Sequence, residues 1–265
     1  MRGIFVTGAD TSAGKTIVGA ALGLYLKQEG VLVKVVKPFE TGCLPVKGRL
    51  IPQDGALYRL LLQLEEPLEK IVPFRYSQPL APYQTSLIDK RPLDYGKALA
   101  RLRQDITDDS FYLLEGAGGV LVPLEEKIFI IDLIADLQVP VLVVAPNRLG
   151  TINHTLLTLE ALAARGIENT RVILNEQEAC ANEVKKINRE YFKNVLGEGY
   201  LGEFPFLPRV RKLVEDMPGF ITGGYAPGVE EMAALREELA DRFAERINTD
   251  RLISLYKDKR GGSYA

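Results

Sequence analysis

Gly8-Ala-Asp-Thr-Ser-Ala-Gly-Lys-Thr16 is the stretch from which the fold can be read. It follows the apolar run Gly3–Thr7 and opens a helix-compatible segment, Lys15–Gln28. A glycine-bearing loop between a strand and a helix turns backbone N–H groups inward at the helix N-terminus, where the peptide dipole already favours negative charge. Such a loop is a phosphate cradle. Lys15 supplies a point charge for β- and γ-phosphates, and the Thr16 hydroxyl a ligand for Mg²⁺. The strict pattern has glycine where this chain has Ala9, with Gly8 one place earlier. The competing reading, a glycine-rich turn with an incidental lysine, leaves the flanking strand and helix without a reason.

Outward from this loop, short β-branched runs alternate with longer helical patterns. The strand candidates are Gly3–Thr7, Val31–Lys37, Phe111–Glu115, Val139–Ala145 and Thr170–Asn175, with a weaker one at Tyr200–Gly202. The helical candidates are Lys15–Gln28, Asp54–Leu64, Tyr95–Asp105, Thr151–Ala164, Asn182–Val195 and Val229–Ile247. Near-continuous apolar strands imply burial on both faces. The expectation is an α/β, P-loop NTPase-like fold with a mostly parallel sheet and helices on both faces. Pro and Gly cluster at Pro38–Pro52, Pro73–Pro82 and Phe204–Pro227, which read as functional or connecting loops. One domain is expected, carrying a helical tail from about 217 to 265, within which Val229-Glu-Glu-Met-Ala-Ala-Leu-Arg236 reads as an amphipathic helix packed on the body.

Composition narrows the function. The 265 residues carry 33 basic and 35 acidic side chains, a net charge of −2, which argues against a nucleic-acid face. Cys43 and Cys180 make neither a disulfide framework nor a metal quartet and fit a reducing compartment. Met1 leads straight into a strand without a signal-like apolar core, and no apolar run reaches the roughly 18 residues of a membrane span. A soluble cytoplasmic protein is expected, with no membrane partner.

In open α/β sheets, ligands gather beyond the carboxyl ends of the strands. Lys37 closes Val31–Val36 and leads into Pro38-Phe-Glu-Thr-Gly42. It could be a solvated edge lysine, but a second cation beside Lys15 is costly without an anionic guest. Glu115 ends a buried strand before Gly116-Ala-Gly-Gly119 and needs a partner for its charge. Mg²⁺, held by few protein oxygens plus phosphate, is a natural one. Asp54 reads alone as a helix N-cap; beside Thr16 and Glu115 it is a plausible third metal oxygen. Asn175 could pair with a purine edge or simply turn the chain, and both readings stay open. Arg148-Leu-Gly-Thr151 starts a helix whose free N–H groups suit a substrate carboxylate. His154 reads as a residue that is packed or sits behind the site, and Cys43 has no nucleophilic dyad beside it.

Taken together, Gly8–Thr16, Lys37-Pro-x-x-Thr-Gly42, Asp54, Glu115-Gly-Ala-Gly-Gly119, Leu149-Gly-Thr-Ile-Asn-His154 and Asn175 resemble dethiobiotin synthetase, from the first strand to about Leu207. The resemblance implies that 7,8-diaminononanoate, CO₂ and ATP give dethiobiotin, ADP and phosphate, through a carbamate and a carbamic–phosphoric anhydride. It implies catalytic roles for Thr11, Lys15 and Lys37, and Mg²⁺ on Thr16, Asp54 and Glu115. ATP would contact Ser12, Ala13, Gly14, Lys15, Thr16, Ile17, Asp54, Glu115, Gly116, Ala117 and Gly118. Its base would meet Asn175, Glu176, Pro205, Phe206 and Leu207. Thr41, Gly150, Thr151, Ile152, Asn153 and Tyr191 would hold the diamine, the last five in a homodimer. Ser12 stands where relatives often carry an acidic residue, Phe206 is smaller than the Trp of some, and the tail is longer than usual.

Two other classes share the loop. Glutamine-dependent amide synthetases of cobalamin synthesis need a further glutaminase domain with Cys and His, and the single histidine here is His154, inside the ATP-binding region. ATPase switches of the MinD/ParA kind carry an early second lysine where this loop has Asp10.

Overall fold

The computed structural model describes residues 1–257, apart from 107, 180, 181 and 225. The chain runs β1 (Gly3–Gly8), α1 (Lys15–Gln28), β2 (Val33–Val36), β3 (Phe39–Glu40), β4 (Leu44–Val46), β5 (Arg49–Ile51) and α2 (Gln53–Leu62). It continues through α3 (Leu68–Ile71), β6 (Phe74–Arg75), α4 (Pro82–Ile88), α5 (Tyr95–Asp105), β7 (Phe111–Gly119), α6 (Ile130–Leu137) and β8 (Val141–Pro146). It closes with α7 (Thr151–Ala164), β9 (Thr170–Asn175), α8 (Glu183–Leu196), β10 (Tyr200–Phe204), α9 (Pro208–Ile221), α10 (Val229–Arg246) and α11 (Thr249–Lys257).

Six strands form one parallel sheet in the order β10-β9-β8-β1-β7-β2. The strands are apolar on both faces because both are covered. Ile4 and Val6 face a layer that holds Val18, Leu22, Leu57, Leu239 and Phe243, whereas Phe5 between them faces Leu102, Ile130, Leu133 and Leu162. This alternation follows from the two-residue period of a strand. The expected α/β fold with helices on both faces is what the chain adopts. β1 lies between β7 and β8, so the loop after Gly8 emerges at the centre of the sheet, where ligands of open α/β sheets gather. Val6 pairs with Glu115, and a bulge brings Gly8 opposite Gly119. Two strand ends therefore meet at the loop.

α1 is buried along most of its length, and its small residues let neighbours approach. A Cβ on Gly19 would lie 2.1 Å from the Tyr58 hydroxyl, and one on Gly23 would lie 2.9 Å from Leu62. Asp94 and Asn182 accept from the backbone N–H of Lys97 and Lys185, which starts α5 and α8.

The main departure from the sequence reading is Phe204–Pro227, expected as loop, most of which is α9. Pro208 stands at the first helical position, where its missing N–H costs nothing. Val210, Leu213 and Met217 then bury one face. Pro218 lies in the last turn, so few helical bonds remain to be broken. The tail boundary at 217 thus falls inside a helix. The region 38–52 contains β3 and the hairpin β4–β5, turned by Lys47 and Gly48 at φ 48° and 76°. No described helix is long and apolar enough to cross a membrane.

Candidate active site

The phosphate loop is shaped by backbone geometry. Ser12 and Gly14 take φ of 57° and 90°, and α1 starts at Lys15 without a side-chain cap. Its first N–H groups are thereby left to a ligand. A Cβ on Gly14 would lie 2.0 Å from the Asn175 amide nitrogen, so glycine is required for space as well as for φ. Asn175, at the end of β9, donates to the Ala13 carbonyl at 2.8 Å, and Gln177 donates to the Ser12 carbonyl. Asp10 accepts from the Thr11 N–H at 2.7 Å and pairs with Arg148 at 2.6 Å.

Next to the loop is a charged cluster drawn from β7, α1, α2 and the residue that follows β2. Glu115, at 0% exposure, shares one carboxylate oxygen between the Thr16 hydroxyl, at 3.0 Å, and the Lys37 ammonium. Its other oxygen accepts from the Tyr58 phenol at 2.6 Å. Lys37 also meets Asp54 at 2.7 Å. Burial opposes charge on Lys37, but Asp54, Glu115 and Glu40 outweigh it and raise its pKa above the usual lysine value. The Asp54 side chain is 43% exposed; desolvation on its packed side works against its charge, but the Lys37 charge and hydrogen bond prevail and hold its carboxyl below the ordinary range. Lys15 is lowered, chiefly by burial, with Glu115 opposing and Lys37 adding. Tyr58 is raised by burial and then by the Glu115 charge.

Glu40 joins the cluster from β3. Its carboxylate oxygens accept from the backbone N–H groups of Asp54 and Gly55 at 2.9 and 3.0 Å. Asp54 is therefore not the N-cap of α2: Pro52 holds that position, and Glu40 caps the helix from outside. Burial, aided by Asp54, pushes the Glu40 carboxyl up to about 8. Cys43 is a buried free thiol pushed up to about 12 by burial. Cys180 lies outside the described residues.

A cavity of about 660 Å³ opens on this cluster. Its walls include Thr11, Ser12, Gly14, Lys15, Thr16, Ile17, Lys37, Thr41, Asp54, Glu115, Ala117, Gly118, Asn175, Glu176, Pro205, Phe206 and Leu207, all of them singled out in the sequence. Ala13 and Gly116 lie behind this surface; Ala13 is fully buried, and Gly116 packs on Phe5 and Ile130. Gly150, Thr151, Ile152, Asn153 and Tyr191 do not line the cavity. Tyr191 stacks edge-on against Phe192, with 5.8 Å between centroids. Sequence reasoning missed Tyr58, which lies behind the walls, and Glu40, Pro79–Pro82 and the α9 residues Val210, Arg211 and Val214, which are part of them. Glu40 had a legible signal, a carboxylate inside the Lys37 motif; Tyr58 had only its spacing from Asp54.

The oxygens of Thr16, Asp54 and Glu115 are hard donors of the kind Mg²⁺ takes. That Lys37 is held by both carboxylates shows that this point attracts positive charge. Among the described residues there is no cluster of three or more His, Cys, Asp or Glu fit for a metal, so an ion here would complete its shell with water and phosphate oxygens.

Residues 2–213 match a family model described as an AAA domain. The chain is 38% identical over 218 residues to the ATP-dependent dethiobiotin synthetase of Thermodesulfovibrio yellowstonii, covering 79% of this chain and 91% of that one. It is 34% identical over 212 residues to that of Bacillus subtilis strain 168, covering 80% and 90%. Among solved structures, a ParA family ATPase from Chlorobium tepidum superposes with a TM-score of 0.53 at 11% identity, covering 92% of this chain and 96% of that one, a likeness of fold alone. At these identities and coverages the chain belongs to the dethiobiotin synthetase family.

Proposed function

We propose that this chain is an ATP- and Mg²⁺-dependent ring-forming ligase that converts 7,8-diaminononanoate, CO₂ and ATP to dethiobiotin, ADP and phosphate. One substrate amine takes up CO₂ as a carbamate and loses a proton. The carbamate oxygen attacks the γ-phosphorus and ADP leaves. The second amine attacks the carbonyl carbon of the resulting carbamic–phosphoric anhydride, loses a proton and expels phosphate. The observation that carries this reading is the convergence of Lys15, Lys37, Thr16, Asp54 and Glu115 on one cavity.

Carbamate and triphosphate repel each other, and the residues answer that problem. Lys37 keeps its proton through Asp54 and Glu115 and offers a fixed positive charge to the carbamate, with the Thr41 hydroxyl alongside. Lys15, Thr11 and the N–H groups of the loop hold the phosphates. Thr16, Asp54 and Glu115 would hold Mg²⁺, which when bound neutralises phosphate charge. Asn175, Glu176 and Pro205–Leu207 would flank the base. No protein nucleophile is needed, because the neighbouring amine closes the ring within the substrate. Well-oriented reactions of this kind reach effective molarities of about 10⁵ M or more. The buried, high-pKa thiol of Cys43 accords with that.

The same proposal includes a single catalytic domain, a cytoplasmic setting and a homodimer. A second copy would bring Gly150, Thr151, Ile152, Asn153 and Tyr191 to the tail carboxylate of the substrate, using the positive end of the α7 dipole, which no side chain caps. The test is phosphate release from ATP with bicarbonate, with and without the diamine. Release that depends on the diamine is expected. Release at the same rate without it overturns the reading in favour of an ATPase switch.

A further inference from the structure

We propose that Tyr58 is a positioning residue that occupies Oε2 of Glu115, leaves only Oε1 on the side of Thr16 and Lys37 to serve an ion, and so tunes the ion site toward a small octahedral cation over a larger one. This inference rests on the reading of Thr16, Asp54 and Glu115 as ion ligands. Glu115 divides its oxygens: Oε1 faces Thr16 and Lys37, while Oε2 is taken by the Tyr58 hydroxyl at 2.6 Å. Both side chains are at 0% exposure, so water does not compete for that bond. The phenol is held in place from behind, because its oxygen sits over Gly19, where a Cβ would approach to 2.1 Å. The Tyr58 side chain has little room to swing away.

Asp54 and Tyr58 stand four residues apart on α2 and share a helix face. One helix therefore presents a ligand and the group that orients the other ligand. Ca²⁺ takes six to eight oxygens at about 2.3–2.6 Å and often uses a carboxylate through both, whereas Mg²⁺ demands near-octahedral geometry at about 2.0–2.1 Å. A carboxylate with one oxygen committed to a buried phenol serves the second ion and handicaps the first. Hydroxyl partners of ligating carboxylates set their orientation, and losing one costs about 10- to 100-fold in metal affinity.

The experiment titrates Mg²⁺ and Ca²⁺ separately, by calorimetry, into the full chain saturated with a non-hydrolysable ATP analogue. In Tyr58→Phe, Mg²⁺ affinity should fall about tenfold or more while Ca²⁺ affinity holds or rises, so the Mg²⁺/Ca²⁺ ratio falls by at least about tenfold. An unchanged ratio, including an equal loss for both ions, overturns the proposal, because a merely structural tyrosine would weaken both together. If Tyr58→Phe does not fold, Tyr58→Met, which is smaller but flexible enough to pack in the site without a hydroxyl, is held to the same outcome. If the wild-type chain binds the analogue equally with and without either ion, the ion-site reading itself fails, a result distinct from an unmoved ratio.

Discussion

Lys37 shows how much one side chain can be asked to do. At 3% exposure it balances two carboxylates, and removing one member of a buried ion pair costs about 3–5 kcal/mol because the charge left behind is uncompensated. Lys37→Gln should therefore lower the unfolding free energy by about 3 kcal/mol without ion, and added Mg²⁺ should recover more stability in the variant than in the wild type. Denaturant titrations with and without Mg²⁺ read both numbers. A variant as stable as the wild type would remove Lys37 from its compensating role. Turnover with the diamine should drop about 10²–10³-fold, the cost of losing one electrostatic partner of the transition state, with nucleotide affinity nearly unchanged. Lys37 was visible in the sequence, since it closes an apolar strand beside the phosphate loop. Tyr58 was not, because its hydroxyl reaches a carboxylate 57 positions away and no local pattern marks that bond.

Among the elements, α2 is the one whose placement matters most. It begins after Pro52 without a cap of its own and is completed by Glu40 from β3. The Glu40 carboxyl stands at about 8 in the folded chain against an ordinary 4.5, so the folded state binds a proton that the unfolded state has released. Stability attributable to Glu40 therefore falls as pH rises from about 4.5 to 8, with no penalty below that window and the full penalty above it. Glu40→Gln abolishes this dependence. Urea unfolding of wild type and variant at pH 5, 6.5 and 8 should show their difference shifting steadily in the variant's favour; a difference constant with pH would mean that Glu40 does not carry the proton. Element types in the sheet were legible because five of the six strands are near-continuous apolar runs. α9 was not: Pro208 and Pro218 looked like breakers, although Val210, Leu213 and Met217 already carried the helical spacing.

For the molecule as a whole, the amphipathic helix expected in the tail is present beyond residue 213, where the family model ends. α10 lies against α1 through Met232, Leu235, Leu239, Ala240 and Phe243, all in the apolar layer that also covers Ile4 and Val6. Phe243 sits 5.8 Å from the Tyr25 ring and 6.3 Å from Phe204, and Arg236 donates to the Leu60 and Leu61 carbonyls at the end of α2. The helix thus braces both the phosphate-loop helix and the helix that bears Asp54. Phe243→Ala should cost about 3–5 kcal/mol, measured by chemical denaturation. A loss below about 1 kcal/mol would mean that α10 does not pack on α1 in solution.

By itself, the sequence determined the alternation of strand and helix, the phosphate loop at the first strand end and the set of charged residues beyond the other ends. These are local properties, written in spacing of two or 3.6 residues and in the glycines a tight loop requires. Tertiary structure alone decided that Glu40 caps α2, that Tyr58 occupies one Glu115 oxygen, that Lys37 lies between two carboxylates, and that α10 closes over α1. Those outcomes depend on partners distant along the chain, brought within bonding distance only when the apolar layers on the two faces of the sheet close. Burial then sets how strongly each charge feels its neighbour.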